Sequence, residues 1–284
     1  METLNVACIQ MRSGTVIHDN IAMMDALVRK AAGDGAHYIQ TPEMSGILQK
    51  RRSHLFEEIR PQEDDPLVTH AQRLSGELGI WLHIGSHSIK VGEEKAANRA
   101  FVFSPDGHLV TTYDKIHMFD VDLENGESWR ESKVYKPGST AKLVETDFGV
   151  FAISICYDLR FPALYREQAL AGAHILTAPS SFTRQTGKAH WHILMRARAI
   201  ENGAYMIAAA QGGDHEDGRE TFGHSLIVNP WGEIIAELSH EEPDYLVAEL
   251  DLSQVAKARG RIPNLENTRE FVLEGGSVIV EKVA

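Results

Sequence analysis

The chain has 284 residues, of which 43% are hydrophobic and 24% charged, a composition typical of a globular protein with a sizeable core. Its formal net charge is −12, and it has no long basic run, which disfavours nucleic acid and anionic membranes as partners. A small molecule is therefore the favoured ligand.

Apolar, β-branched segments alternate with helical patterns along the first half of the chain. The segment LNVACIQM predicts a strand, and a helix capped by Asp19 or Asn20 follows it and ends at a glycine-rich stop. A strand HYIQTPEM, a helix that begins near Asp65, and the strands IWLHIGSHSI, RAFVFSPDG and HLVTTYDK come next.

The second half continues this alternation. It predicts the strand VFAISI, the helix ALYREQALAGA, the strand HILTAPS, the helix HWHILMRARAIENG, the strand AYMIAAAQ and the hairpin HSLIVNPWGEIIAEL, which turns across Asn229 to Gly232. Strand-helix-strand crossovers thus mix with strand-strand hairpins. This order predicts a layered α/β fold with mixed sheets covered by helices.

No Pro/Gly/Ser-rich linker, fixed-period repeat or low-complexity tract divides the chain, so we interpret residues 1–284 as one domain. The first residues lack the cationic flank and apolar core of an export signal, and no apolar run approaches membrane-spanning length. We therefore expect a cytoplasmic protein, in which Cys8 and Cys156 have little use for a disulfide.

Three strands are each followed by a reactive side chain. Glu43 follows HYIQTP, Lys115 ends HLVTTYD and Cys156 ends VFAISI, so the three groups could meet at one rim. Each also has an ordinary interpretation: a solvated acid, a surface cation and a buried packing residue. A cysteine that faces a helix N-terminus would instead have a lowered pKa.

Together these groups can perform acyl transfer at a carbon-nitrogen bond. A thiolate attacks the carbonyl carbon, a buried carboxylate takes the thiol proton and returns it to the leaving amine, and an ammonium stabilises the oxyanion. The N–H of Tyr157, directly after the cysteine, would be a second donor to the oxyanion.

Four segments resemble the nitrilase superfamily of carbon-nitrogen hydrolases, from about Leu4 to about Pro263. They are TPEM around Glu43, YDKIHMFDVD around Lys115, RES around Glu131 and CYDLRFPALYREQALAGAHILTAPSSF after Cys156. The resemblance implies an α-β-β-α sandwich with two mixed β-sheets. It also implies that Glu43 is the general base, that Lys115 stabilises the tetrahedral intermediate and that Cys156 carries the acyl group as a thioester.

The resemblance further implies that Glu131 positions Lys115 or the substrate amine, although alone it reads as an exposed acid in a charged stretch. The later segments are most similar to amidases that act on deaminated glutathione, with ω-amidases for α-ketoglutaramate as close relatives. The implied reaction is hydrolysis of a small carboxylate-bearing amide to acid and ammonia. An ω-amidase, or a hydrolase of carbamoyl or nitrile substrates, remains an alternative.

A carboxylate-bearing substrate implies cations in the pocket. Arg160 could bind this carboxylate or instead pin the turn through carbonyls or Asp158, and Phe182 could form the pocket wall or simply pack. Arg184 is a further candidate, but its segment reads as a loop, where arginines are usually solvated.

The sequence departs from these amidases at positions 188 and 192, where Lys188 and His192 replace a proline and a glutamate. Gln40 and Thr41 also replace apolar residues before Pro-Glu. These differences alter the charge near the predicted pocket and leave the substrate open.

Two other functions remain open. In a Cys-His hydrolase, His190 or His224 would activate Cys156 in place of Glu43; in a small-molecule binding protein, Cys156 would be inert. No Gly-rich phosphate loop is present and none of the 14 histidines forms a metal-ligand spacing, so we predict neither cofactor nor metal.

The resemblance also implies at least a homodimer, with the helices after the nucleophile packed across a two-fold axis. We predict that the tail 264–284, which departs from the family, lies at a subunit interface.

Overall fold

The computed structural model describes residues 3–123, 126 and 128–272. The first eight strands, β1 to β8, span Leu4–Gln10, Tyr38–Gln40, Trp81–Lys90, Ala96–Phe103, Leu109–Asp114, Asp120–Asp122, Ser128–Arg130 and Lys142–Glu145. Strands β9 to β16 span Val150–Ile153, Ile175–Thr177, Tyr205–Ala208, Gly212–Asp214, Glu220–Phe222, Leu226–Val228, Ile234–Glu237 and Asp244–Leu250. Helices α1 to α6 span Ile17–Gly33, Arg52–Glu58, Pro66–Leu78, Pro162–Leu170, Arg184–Asn202 and Ser253–Arg261, and short 3-10 helices span Gln62–Asp64, Glu131–Lys133 and Cys156–Arg160.

Two six-stranded sheets form the centre of the fold. Their strand orders are β16-β1-β2-β3-β4-β5 and β15-β14-β11-β10-β9-β8. In the first sheet β1, β2 and β3 are parallel, and in the second β9, β10 and β11 are parallel, while the flanking strands pair antiparallel. The predicted mixed sheets are confirmed.

The alternation of side chains along β1 shows how the layers stack. Val6 and Cys8 belong to the core between the two sheets, whereas Ile9 belongs to the core beneath α1 and α3. Tyr38 of β2 stacks on Phe151 of β9 with ring centroids 3.9 Å apart, which joins the two sheets directly. Helices α4 and α5 cover the second sheet, so the predicted α-β-β-α sandwich is confirmed.

A glycine allows the two sheets to approach each other where their polar loops meet. A Cβ atom on Gly85 of β3 would lie 2.1 Å from the carbonyl oxygen of Thr41 and 2.3 Å from Cβ of Pro179. Any larger residue would therefore push the loop after β2 away from the loop after β10.

Two helix starts differ from prediction. Helix α1 begins at Ile17, so the predicted cap at Asp19 or Asn20 was wrong. The Asn20 carboxamide instead binds the backbone of Gly14 and Gly46, which holds the loops after β1 and β2 together. Helix α5 begins at Arg184 rather than near His190.

The Asp65 cap is confirmed, because its carboxylate accepts hydrogen bonds from the N–H groups of Leu67 and Val68 at the start of α3. The hairpin across Asn229 to Gly232 is also confirmed as β14 and β15. Among the described residues, no helix has both the length and the apolar character needed to cross a bilayer.

The predicted tail begins on the described part of the chain. Asn264 donates to the carbonyl of Glu201 in α5 at 2.6 Å, and Arg166 of α4 donates to the carbonyl of Asn264 at 2.7 Å. The remainder of the tail, residues 273–284, lies outside the described residues.

Candidate active site

Three loops from both sheets bring the predicted reactive residues to one cavity. Glu43 follows β2, Lys115 directly follows β5, and Cys156 follows β9 as the first residue of a 3-10 helix. All three line the same cavity, as does Glu131. Residues from separate strands therefore meet at one rim, as their positions at strand ends indicated.

The Lys115 ammonium lies between two carboxylates. Its Nζ is 2.9 Å from Oε1 of Glu43, and 3.1 and 2.9 Å from Oε1 and Oε2 of Glu131. Only 2% of the lysine side chain is exposed, with 5% of Glu43 and 11% of Glu131. Burial alone would lower the pKa of Lys115, but Glu131 and Glu43 together raise it well above its ordinary value. The amine is therefore a fixed cation.

Two residues that sequence reasoning missed orient the carboxylates. Asn98 of β4 donates from Nδ2 to Oε1 of Glu43 at 2.9 Å and to Oε1 of Glu131 at 3.1 Å. The N–H of Ser181 donates to Oε2 of Glu43 at 2.9 Å. Asn98 is a polar residue within the apolar strand AANRAFVF, and that interruption is the signal that could have identified it.

The Cys156 backbone adopts a left-handed conformation, with φ at +49°, which is strained for a residue with a side chain. Its N–H donates to the carbonyl of Pro179 at 3.0 Å, and this bond holds the turn in place. A reactive group on a sharp turn between a strand and a helix is presented to the cavity without moving the sheet.

Burial raises the pKa of the Cys156 thiol well above its ordinary value, and the Glu43 carboxylate raises it further, against a smaller lowering by Lys115. The lowered pKa considered for a cysteine at a helix N-terminus is therefore not found, because a five-residue 3-10 helix offers little dipole and the site is buried. The resting group is a protonated thiol, which needs a base before it can attack.

Asp158, also missed by sequence reasoning, joins the loop of Lys115 to the turn of Cys156. Its buried carboxylate accepts from Tyr113 Oη at 2.6 Å, from the N–H of His117 at 3.0 Å and from the N–H of Ile155 at 2.9 Å. The carboxylate therefore crosslinks the two sheets beside the reactive groups.

The cavity has a volume of about 260 Å³, slightly below the roughly 300–1,000 Å³ that is usual for small-molecule sites. Tyr157, Arg160 and Phe182 line it. Arg160 packs over the Phe182 ring at 5.3 Å and its Nη1 lies 3.2 Å from Nδ1 of His190. Asp158 is held by other groups, so Arg160 does not pin the turn through that carboxylate. Among the described residues, four further cations line the cavity: Lys50, Arg52, Arg130 and Arg219.

Arg184 does not lie in a loop, as the sequence suggested, but opens α5. Its guanidinium forms ion pairs with Asp214 at 2.7 Å, Glu220 at 2.7 Å and Glu241 at 2.5 Å. Arg184 is not among the described residues that line the cavity. We therefore assign it to fixing the start of α5 rather than to binding substrate.

The histidines proposed as alternative bases lie elsewhere. Neither His190 nor His224 is among the described residues that line the cavity. Nδ1 of His224 lies 2.9 Å from Oε1 of Glu237, and His190 contacts Arg160. Glu43 is therefore the candidate base beside the thiol, and this geometry does not favour a Cys-His pair.

The arrangement can perform nucleophilic attack on a carbonyl carbon. It combines a protonated thiol, an adjacent carboxylate that can accept its proton and an ammonium that can donate to a developing oxyanion. A buried site excludes bulk water and strengthens each of these interactions.

Comparisons with known proteins agree with this chemistry. The sequence profile of the carbon-nitrogen hydrolase family matches residues 5–260. Over 272 residues the chain is 34% identical to a deaminated glutathione amidase of Yersinia enterocolitica, covering 95% of this chain and 94% of that protein. It is 32% identical over 284 residues to omega-amidase NIT2 of Danio rerio, covering 98% and 99% of the two chains.

The fold is similar to that of a solved structure, the C. elegans NitFhit protein. The two superpose with a TM-score of 0.87 at 32% sequence identity. The match covers 94% of this chain and 65% of that one, so this chain spans slightly less than two thirds of NitFhit.

Proposed function

The chain belongs to the carbon-nitrogen hydrolase family and hydrolyses amides, and from that premise we propose that its substrate is a small amide bearing a carboxylate, cleaved through a Cys156 thioester. One observation carries the proposed mechanism: a buried ammonium, held by two carboxylates, shares a cavity with a protonated thiol. Relatives named for deaminated glutathione and for an omega-amide support the substrate class.

In the first half of the proposed reaction, Glu43 takes the Cys156 proton as Sγ attacks the amide carbon. Once Glu43 carries this proton, the Lys115 N–H that it accepted turns to the oxyanion of the tetrahedral intermediate, and the N–H of Tyr157 is the second donor. Glu43 then gives the proton to the leaving nitrogen as the C–N bond breaks, which leaves an acyl thioester on Cys156.

In the second half, water attacks the thioester carbon and gives a proton to Glu43. The C–S bond breaks, the acid leaves and the proton returns to Cys156. Glu131 keeps Lys115 in place throughout, because two of the ammonium's hydrogen bonds end on its carboxylate. The Asn98 amide donor positions both carboxylates.

Arg160 is the proposed partner of the substrate carboxylate. It lines the cavity four residues after Cys156, and within the described residues it has no carboxylate partner of its own. This distinguishes it from Arg184, whose guanidinium is occupied by three acids. A charged hydrogen bond of about 1.5–3 kcal/mol corresponds to roughly 10- to 150-fold in kcat/KM.

The experiment compares α-ketoglutaramate and deaminated glutathione with butyramide, a neutral amide. Ammonia reports cleavage of the primary amides, but deaminated glutathione would release cysteinylglycine, so its cleavage is followed by liberated amine. We expect both acids to exceed butyramide at least tenfold in kcat/KM, and Cys156→Ala to lose turnover and the acyl adduct seen by intact mass.

Arg160→Gln is expected to remove the preference for the acids and leave butyramide turnover unchanged. Equal turnover of butyramide and the acids by the wild type would contradict the substrate class while leaving the amidase chemistry intact. Turnover in Cys156→Ala would contradict the thioester mechanism.

We also propose that the protein is at least a homodimer and works in the cytoplasm. Exposed apolar side chains on α5, Ile193 at 70% and Ile200 at 51%, support a contact through that helix, and the tail 264–284 begins beside it. Both cysteines are free, which suits a reducing compartment. Light scattering of the purified protein tests the assembly, and a monomer would contradict it.

A further inference from the structure

Outside the cavity, three side chains from separate elements converge on one point. His192 lies on α5, His224 lies in the turn before β14, and Glu237 ends β15. Nε2 of His192 is 2.8 Å, and Nδ1 of His224 2.9 Å, from Oε1 of Glu237, and these three atoms all lie within 4.8 Å of one another. None of the three residues is among the described residues that line the cavity.

The rings are held in this orientation by their surroundings. The His224 ring stacks on Phe222 at a centroid distance of 4.2 Å, and the His192 ring meets Phe222 edge-on at 5.9 Å. The carbonyl of His224 accepts a hydrogen bond of 2.8 Å from Trp191 Nε1. His224 also adopts a left-handed φ of +58°, which is costly unless the surrounding structure requires it.

We propose that His192, His224 and Glu237 form a binding site for a divalent zinc ion. Two imidazole nitrogens and one carboxylate oxygen are the donor set that Zn²⁺ takes with an open fourth position, whereas Mg²⁺ and Ca²⁺ require mainly oxygen ligands. Around a tetrahedral zinc with bonds of about 2.0–2.2 Å, neighbouring ligand atoms lie about 3.3–3.5 Å apart, so each of the two nitrogen-to-oxygen distances would need to lengthen by about half an ångström.

The site is accessible to an ion and to a water ligand. The side chains of His192, His224 and Glu237 are 35%, 21% and 24% exposed. An ion there joins α5 to β14 and β15, the edge of the second sheet, so its effect is on the stability of that helix rather than on the chemistry at Cys156. Binding to the native state alone raises the stability of the fold.

The test is zinc binding to the full-length protein carrying Cys156→Ala, which removes the cavity thiol as a competing ligand. Equilibrium dialysis with Zn²⁺ is expected to give one ion per chain, and the ion is expected to raise the thermal midpoint. His192→Gln and Glu237→Gln should each weaken binding at least about tenfold and abolish the rise. His190→Gln, on the same helix but outside the cluster, is the matched control and should bind as before.

X-ray absorption of the zinc-loaded protein provides a measurement that does not depend on how the variants fold. Two imidazole nitrogens and an oxygen in the first coordination shell are expected. Absence of stoichiometric binding, equal affinity in His192→Gln and its parent, or a shell without imidazole would each overturn the proposal, and the three residues would then form only a hydrogen-bonded cluster.

Discussion

Replacing Glu43 with glutamine separates two properties that the site couples, namely turnover and thiol acidity. Gln keeps the volume and one oxygen, which can still accept from Lys115 and Asn98 at the position of Oε1. Its NH₂ group then faces the N–H of Ser181, where Oε2 now accepts a bond of 2.9 Å, and it cannot take a proton.

The two effects have opposite signs. Loss of a positioned general base reduces turnover by about 10²- to 10⁴-fold, or about 2.7–5.5 kcal/mol in the barrier. Glu43 also raises the pKa of the Cys156 thiol, so its removal lowers that pKa. In the wild type, two carboxylates and one ammonium make a local charge of −1, and the variant brings this to zero, which favours the thiolate beside Lys115.

The assay measures amide turnover and, separately, alkylation of Cys156 by iodoacetamide as a function of pH, followed by intact mass. For Glu43→Gln we expect turnover to fall at least about 100-fold while the alkylation midpoint moves to lower pH. Glu131→Gln is the matched control, since it removes the same negative charge beside Lys115, whereas Glu43 is the carboxylate that raises the pKa of the thiol. Its alkylation midpoint should move less.

Turnover of Glu43→Gln within tenfold of the wild type would refute the assignment of the base, as would an alkylation midpoint that rises. A Cys-His hydrolase predicts the reverse pattern: turnover retained in Glu43→Gln and lost in His190→Gln or His224→Gln.

Three further changes test the supporting structure. Asn98→Ala removes donors to both carboxylates, and we expect kcat/KM to fall about 10- to 100-fold with little unfolding, which steady-state kinetics and circular dichroism would check. Lys115→Met leaves two buried carboxylates without their cation, so we expect the free energy of unfolding, measured in urea, to fall by about 3–5 kcal/mol. The exposed Lys257→Met is the control and should lower it by less than about 0.5 kcal/mol; equal losses would contradict the prediction. Burial lowers the pKa of His83 to about 3, so between that pH and about 6.5 the unfolded chain binds one more proton at this residue than the folded chain does. His83 therefore adds about 1.4 kcal/mol per pH unit to the rise of stability with pH. His83→Gln should lessen the slope measured by urea unfolding by this amount, and an unchanged slope would show that His83 contributes none of it.

The layered fold was predictable because apolar runs mark most of the strands, and the order of strands and helices can be read directly along the sequence. The alternation in LNVACIQM requires one face toward each of two cores, and the order of strands and helices then restricts the connections. The start of α1 was not predictable, because Asn20 is a good cap by residue type but its carboxamide is used between two loops. Sequence alone cannot choose between a local and a distant partner for the same group.

The same limit explains which parts of the site the sequence could indicate. Glu43, Lys115 and Cys156 were candidates because each follows a predicted strand, and the end of a strand can be located from the sequence alone. Asn98 and Asp158 act through contacts to residues 33 to 55 positions away, and nothing near them in the chain indicates those partners.

The pKa of Cys156 shows most clearly how a partner that is distant in the sequence changes the property of a residue. From the turn alone, a cysteine at a helix N-terminus is expected to have a lowered pKa. In the folded site the thiol is instead buried beside the carboxylate of Glu43, 113 positions earlier in the chain, and burial and this carboxylate raise the pKa of the thiol. A thiol that is protonated at rest cannot attack without Glu43, so the base and the nucleophile must act as one unit. Without Cys156 the base has no thiol to deprotonate, so Glu43→Gln combined with Cys156→Ala should be no slower than Cys156→Ala alone.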